Sequence, residues 1–145
     1  MTTKTQSIAA FPQGKLSNTG AYTVGPEVPC GWAKSGTLYL TQTQINVADF
    51  ARFYVEVSSD GEDVATPLWG FVMLVNPVIV VVAGAGFAQS TDTWLRDLPA
   101  RNGTYSYTLP DLTSVRRLRV SIAEAGHVAD PGELAAVVYL SDGRN

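Results

Sequence analysis

The feature that most constrains the fold is an uncharged run from residue 68 to residue 83, which reads Leu-Trp-Gly-Phe-Val-Met-Leu-Val-Asn-Pro-Val-Ile-Val-Val-Val-Ala. The run is too short to cross a bilayer as a single helix, which needs about 20 apolar residues. The dipeptide Asn76-Pro77 also favours a turn within it. The β-branched residues after Pro77 favour a strand. The run therefore predicts two buried strands, Leu68–Val75 and Val78–Ala83. They either fill the middle of a β-sandwich or form a face that another subunit covers.

The composition limits the classes of protein that fit. The chain has 145 residues, which suits a single domain. Charged residues make up only 16% of it, against about 25% in a typical soluble domain. The net charge of −3 argues against a nucleic-acid partner, because proteins that bind nucleic acid carry a basic surplus. The composition thus favours a β-rich surface or assembly protein.

The cysteine content and the N-terminus bear on the compartment. Cys30 is the single cysteine, so an intrachain disulfide is excluded. The first seven residues lack the apolar core of a signal peptide. We therefore expect synthesis in a cytoplasm without export by the general secretory route, and no membrane partner.

Residues 1–33 are interrupted by glycines and prolines and show no sustained period. A free tail would be more charged and poorer in apolar residues. We interpret the segment as an extended arm that docks on its own or a neighbouring subunit. The alternative is a disordered leader with one irregular strand. The anchors of such an arm would be Phe11, Leu16, Tyr22, Val24, Val28 and Trp32.

From residue 34 onward, apolar and polar residues alternate in several short segments, as in half-buried strands. Thr37–Thr41 places Leu38 and Leu40 on one face. The segment Arg52–Val57 points Phe53, Val55 and Val57 inward, and Arg52, Tyr54 and Glu56 outward. Asp60-Gly61 is a hairpin signal. Residues 93–98 are compatible with a short helix, a strand or a loop. Further strands are predicted at Thr104–Leu109, Arg117–Ile122 and Leu134–Leu140.

These segments give about eight strands, separated by turns at spacings typical of antiparallel sandwiches. We predict an all-β fold in which residues 34–145 form an antiparallel β-sandwich, similar to a jelly roll. A small closed β-barrel is the alternative.

The candidates for catalysis and for metal or cofactor binding are incomplete. His127 and Cys30 lack the surroundings of a catalytic triad, and they are too few to ligate zinc. Asp60, Glu62 and Asp63 form only a fragment of a calcium loop, and Gly84-x-Gly86 lacks the rest of a dinucleotide fingerprint. A pair of glycosidase carboxylates distant in sequence stays open. We therefore expect no cofactor, no metal and no enzymatic activity.

Aromatic and arginine side chains are the remaining candidates. Two functions fit a set of aromatic residues, a platform on which sugars stack or a subunit interface; the set is Trp32, Trp69, Trp94, Tyr39, Tyr54, Tyr105 and Tyr107. Tyr54, Tyr105 and Tyr107 are expected to point outward. Arginines 116, 117 and 119 form a basic cluster suited to an acidic partner surface. The interface candidates are Phe11, Leu16, Tyr22, Trp32, Tyr54, Trp69, Tyr105, Tyr107, Arg117 and Arg119.

The N-terminus resembles a known family. The opening Met-Thr-Thr-Lys, followed by Phe11-Pro12-Gln13-Gly14, resembles the N-terminal arm of lambda-type head decoration proteins, the small cement proteins of tailed-phage capsids. The resemblance is confined to these residues. It implies trimers at the local three-fold axes of a capsid, with arms that join the sheet edges of the shell, and it brings no catalytic residues.

The expected function is therefore that of a non-enzymatic virion protein, which decorates and stabilises a phage head. The expected partners are further copies of the chain, with a trimer favoured, and the major capsid protein or another virion protein. Close variants are a capsid, tail or fibre component. A carbohydrate- or receptor-binding module is the alternative, and an enzyme with a pocket at His127 or at paired carboxylates is a third possibility.

Overall fold

A computed structural model describes residues 3–15, 21–43, 50–61, 63–72, 95–125 and 132–143. These residues form strands and their connections, and no helix occurs among them. Several sequence predictions lie outside the described residues and are not addressed by the structure. They concern Leu16, Glu62, the end of the strand Leu68–Val75, the strand Val78–Ala83, Gly84-x-Gly86, Trp94 and His127.

The described residues contain ten strands, and every pairing between them is antiparallel. In chain order they are β1 (Thr5–Lys15), β2 (Thr23–Val24), β3 (Val28–Pro29), β4 (Ser35–Thr43), β5 (Ala51–Ser58), β6 (Gly70–Phe71), β7 (Leu95–Asp97), β8 (Gly103–Thr108), β9 (Arg117–Glu124) and β10 (Glu133–Ser141).

The strands divide into two sheets. Sheet A has the order β1-β10-β4-β8, and sheet B has the order β2-β9-β5-β6, with β3 also on β9 and β7 also on β5. Because β5 lies along the other side of β9, strands β2 and β3 share one edge of β9 and act as one interrupted strand. Strands β6 and β7 likewise share one edge of β5. Counted this way, eight strands lie in two four-stranded sheets with the connectivity of a jelly roll.

This architecture confirms the predicted antiparallel sandwich. The described strands form two separate sheets rather than the closed barrel of the alternative. The segment for which helix, strand and loop stayed open contains strand β7. The Asp60-Gly61 signal falls in the connection between β5 and β6, which pair antiparallel, although this connection is longer than a tight hairpin.

The core lies between the sheets and follows the predicted alternation. Leu38 and Leu40 of β4, like the apolar residues of β9, are fully buried. In β5, Phe53 and Val55 are buried and Val57 packs against the core. The alternation predicts that Glu56 points into solvent, but it is only 9% exposed, because Arg119 of β9 lies against its carboxylate.

Within the described residues, the N-terminal segment lies along its own subunit, which is one of the two docking sites predicted for the arm. Strand β1 pairs with β10 of the same chain from Thr5, opposite Ser141, to Lys15, opposite Glu133. It is therefore an edge strand of sheet A, and β2 and β3 complete the edge of sheet B. The division of the chain at residue 33 stays a prediction. Exchange of the segment between subunits stays a prediction.

Candidate functional site

Three aromatic rings form a connected cluster on the outer face of sheet B. Tyr54 points outward from β5, Phe71 follows from β6, and Tyr22 precedes β2. The ring centroids of Tyr22 and Tyr54 lie 5.0 Å apart, and those of Tyr54 and Phe71 lie 5.4 Å apart. Tyr22 is 38% exposed and Phe71 is 55% exposed, so the cluster is open to solvent on one side.

Trp69 extends the cluster toward β9. The guanidinium carbon of Arg119 lies 4.1 Å from the centroid of the Trp69 ring. Arg119 Nε also donates a hydrogen bond to Glu56 Oε1 at 3.0 Å. Strand pairing places Arg119 directly opposite Glu56, so the ion pair holds the guanidinium over the indole. Cation–π contacts of this kind contribute about 0.5–1 kcal/mol at exposed sites.

A second ion pair lies at the other end of the cluster. Arg52 Nε and Nη2 donate to the two carboxylate oxygens of Asp97, at 2.6 and 3.1 Å. The hydrogen bond to Asp97 raises the pKa of Arg52. Burial raises the pKa of Tyr22, and the nearby Arg52 charge partly opposes this shift. Both members of the pair are half exposed, so the pair fixes side-chain positions more than it adds stability.

We call this surface the aromatic face and define it by Tyr22, Val24, Tyr54, Trp69 and Phe71. Val24, in β2, lies opposite Ser121 of β9 and is 52% exposed. Trp69 and Phe71 reach the same surface because they flank Gly70, and side chains two residues apart in an extended chain point to the same side. An apolar centre with ion pairs at its rim has the make-up of a protein–protein interface, in which Trp, Tyr and Arg dominate the binding energy.

The structure brings three of the interface candidates, Tyr22, Tyr54 and Trp69, together on this face, and a fourth, Arg119, lies against the Trp69 ring. It also adds Phe71, which the sequence placed in a buried strand. The signal that identifies Phe71 is its spacing from Trp69, but a uniformly apolar run hides which side faces the solvent.

Two other candidates lie in the core instead of on a surface. The sequence predicts that Tyr107 points outward, but it is 6% exposed and packs edge-on against Phe53 with centroids 5.0 Å apart. Burial raises the pKa of its hydroxyl to about 12. Phe11 is 9% exposed and belongs to the same core. Neither side chain is available to a partner.

Tyr105 and Trp32 are partly buried and already occupied. The Tyr105 hydroxyl donates to the carbonyl oxygen of Arg101 at 2.7 Å, and its ring packs against the core. The Lys4 ammonium lies 4.2 Å from the Trp32 ring centroid, while the indole also packs against the core. These contacts leave neither ring open as a platform.

Arg117 ties a loop to β9. Its guanidinium donates to the carbonyl oxygens of Asp60, Gly61 and Val64, and to the Glu27 carboxylate at 2.8 Å. The same side chain lines an open cleft of about 650 Å³. Arg117 and Arg119 share a face, as predicted. Both are paired with carboxylates of their own chain, Glu27 and Glu56, and contact with an acidic partner surface stays a prediction.

Ring angles, burial and side-chain grouping bear on three other functions considered from the sequence: sugar stacking, thiol catalysis and metal binding. The rings of the aromatic face are tilted by 57° and 79° to one another, so they do not form the coplanar row on which a sugar chain stacks. Burial raises the pKa of the Cys30 thiol to about 11, which keeps it protonated at neutral pH. Within the described ranges, no three His, Cys, Asp or Glu side chains are grouped so that they would hold a metal ion, and no helix is long and apolar enough to span a membrane.

Comparison with known proteins finds a solved structure of similar fold and no related sequence family. No protein-family model matches the chain, and no curated protein sequence matches it. The chain is similar to the SPBc2 prophage-derived protein YomS, with a TM-score of 0.59 and 10% identity over 97% of this chain and 96% of that one. This likeness shows a shared β-sandwich fold.

Two further solved structures are more distant. The infectious bursal disease virus Gx strain gives a TM-score of 0.47 at 12% identity, over 99% of this chain and 33% of that one. The K3 cleaved adhesin domain of Lys-gingipain from Porphyromonas gingivalis gives 0.37 at 20% identity, over 92% and 72%.

Proposed function

We propose that the chain is a non-enzymatic structural protein of a virion, which decorates and stabilises a phage head by binding other proteins. The observation that carries the proposal is the aromatic face, where Tyr54 contacts both Tyr22 and Phe71 while Tyr22 and Phe71 remain exposed. Isolated monomers rarely leave such a connected apolar surface uncovered. Its occupant is a second copy of the chain or a capsid protein.

Two further observations support this function. The jelly roll is an architecture common among viral capsid domains, and the fold is shared with a prophage-derived protein over almost the whole of both chains. The N-terminal resemblance to head decoration proteins favours a trimer. A capsid, tail or fibre component fits the same surface.

Changing Phe71 to Asp is expected to abolish association through the aromatic face, because a carboxylate in the centre of an apolar contact loses its hydration. Phe71 is 55% exposed, so the fold of the monomer should be retained. Light scattering at about 10 µM should give an oligomer, with a trimer favoured, for the unchanged chain and a monomer for Phe71→Asp.

The matched control is Val137→Asp, an apolar-to-acidic change at an exposed position of β10 on the opposite sheet. It should leave the mass unchanged. An unchanged chain that is monomeric and that also fails to bind purified virus particles would contradict the proposal. A Phe71→Asp variant with the same mass and the same particle binding as the unchanged chain would also contradict it.

A further inference from the structure

One edge of the sandwich, as formed by the described residues, carries none of the usual features that block pairing with another chain. Strand β8, Gly103–Thr108, is the last strand of sheet A, and β4 is its one strand partner within the described residues. Its sequence, Gly-Thr-Tyr-Ser-Tyr-Thr, contains no charge and no proline. An edge strand of this kind presents a row of unpaired backbone groups to which another strand can add.

The other three edges carry the devices that normally block such addition. Strand β1 contains Pro12 and two register shifts, between Ala9 and Phe11 and between Phe11 and Gly14. Both edges of sheet B are divided into strands of two or three residues. Among the edges formed by the described residues, that of β8 is therefore the one without such a device.

The backbone groups that face this edge follow from the hydrogen-bond pattern. The Leu109 amide donates to the Gly36 carbonyl oxygen at 2.9 Å. Hydrogen-bonded and non-bonded pairs alternate along an antiparallel ladder, so Tyr105 and Tyr107 bond to β4. The N–H and C=O groups of residues 104, 106 and 108 therefore point toward the free edge, and their side chains are exposed.

The sequence of the edge indicates which strand would pair with it. Residues 104–108 read Thr-Tyr-Ser-Tyr-Thr, a palindrome centred on Ser106. We propose that β8 pairs antiparallel with β8 of a second copy of this chain, about a two-fold axis at Ser106. The two sheets A then form one continuous sheet, joined by roughly six backbone hydrogen bonds.

The side chains are compatible with this register. In this register, each Thr104 lies opposite Thr108 of the partner subunit, and Ser106 lies opposite Ser106 of the partner subunit. Each Tyr105 is level with Tyr107 of the partner subunit. Threonine and serine pairs form favourable cross-strand hydrogen bonds, whereas like charges would repel. Thr41 and Thr104 already form such a pair, with hydroxyl oxygens 3.0 Å apart. The strand is thus complementary to itself in charge, size and hydrogen bonding.

The contact goes beyond the proposed function, because it uses the opposite sheet and does not depend on the aromatic face. Pairing along one edge buries less than the roughly 800 Å² per partner of a standard interface. We therefore expect a weak dimer in dilute solution. In a lattice that holds many copies close together, such a contact gains strength from the high effective concentration.

Changing Ser106 to Lys tests the contact, because it places two ammonium groups opposite each other on the axis. Ser106 is exposed and its amide does not bond to β4, so the monomer should fold normally. The control is Ser7→Lys, at an exposed position of β1 on the other edge of sheet A. Both changes are made in the Phe71→Asp background, so that the aromatic face does not contribute.

Sedimentation equilibrium from about 10 µM to about 1 mM should show a monomer–dimer equilibrium for the Phe71→Asp chain and for the Ser7→Lys control. The Ser106→Lys chain should dimerise at least 10-fold more weakly. A Phe71→Asp chain that stays monomeric throughout would overturn the proposal. Equal dimerisation of the two lysine variants would also overturn it.

A cysteine variant tests the register directly. Hydrogen-bonded antiparallel pairs have Cα atoms about 5.5 Å apart, within the range of a disulfide. With Cys30 buried, Ser106→Cys should form an interchain disulfide under mild oxidation, and Ser7→Cys should not. Cross-linking of both variants at the same rate would contradict a two-fold axis at Ser106.

Discussion

Replacing Gly25 by alanine is expected to lower the free energy of unfolding by about 3 kcal/mol, at the upper end for an overpacked site. A Cβ atom at Gly25 would lie 2.5 Å from the carbonyl oxygen of Ala10 and 2.7 Å from that of Val120. Ala10 belongs to sheet A and Val120 to sheet B, so relief requires a backbone shift in one of the sheets. The Gly25 amide donates to the carbonyl oxygen of Val120 at 2.8 Å, which holds the chain at this distance.

The matched control is Gly70→Ala in β6. A Cβ atom there has no neighbour within 4 Å, and the expected change is within about 0.5 kcal/mol. Urea unfolding, followed by tryptophan fluorescence, measures both variants. Similar stabilities for Gly25→Ala and Gly70→Ala would show that Gly25 does not hold the two sheets at close approach.

Replacing Gln42 by alanine is expected to cost a similar amount, about 3 kcal/mol, because it leaves backbone groups without partners. Gln42 is 4% exposed and points from β4 into the interior. Its amide oxygen accepts from the Ala51 amide at 2.8 Å, and its nitrogen donates to the carbonyl oxygens of Pro99 at 2.8 Å and Arg101 at 3.0 Å. One side chain thus ties sheet A to the start of β5 and to the connection that leads into β8.

Two further variants separate the causes of this loss. Gln42→Glu keeps an acceptor for the Ala51 amide but directs oxygen at the two carbonyls, so it should lose nearly as much stability as Gln42→Ala. Thr41→Ala, on the exposed side of the same strand, removes one hydroxyl contact and should cost less than about 1 kcal/mol. The expectation fails if urea unfolding gives Gln42→Ala the stability of the Thr41→Ala control.

The strands that can be predicted from the sequence are those whose alternation is local and uninterrupted. In β4, β5 and β9 the side-chain period of two is readable without knowledge of the partner strands. Strand β1 escapes such a prediction because its regularity depends on pairing with β10, at the far end of the chain, and because two register shifts break its period. Long-range pairing of this kind leaves no local signature.

Most components of the aromatic face are predictable from the sequence, with Phe71 as the exception, but their assembly is not. Tyr22, Tyr54, Trp69 and Arg119 stand far apart in sequence, and only the pairing of β2, β9, β5 and β6 brings them together.

The prediction for Tyr107 is wrong for a different reason. Alternation groups Tyr105 with Tyr107 without saying which face of the strand is buried. The polar residues between and after them, Ser106 and Thr108, carry that information, since they point the opposite way and are exposed.

The central claim, that the aromatic face is covered by another protein molecule, is tested most directly by thiol labelling of Val24→Cys and Val137→Cys. Both are valine-to-cysteine changes at exposed strand positions, on sheet B and sheet A respectively. Because Cys30 is buried, the unchanged chain should react much more slowly than either variant. In the associated state or on virus particles, we predict that labelling at position 24 slows at least 10-fold, while labelling at position 137 is unchanged. Equal labelling rates at the two positions, in solution and on particles, would contradict a covered aromatic face.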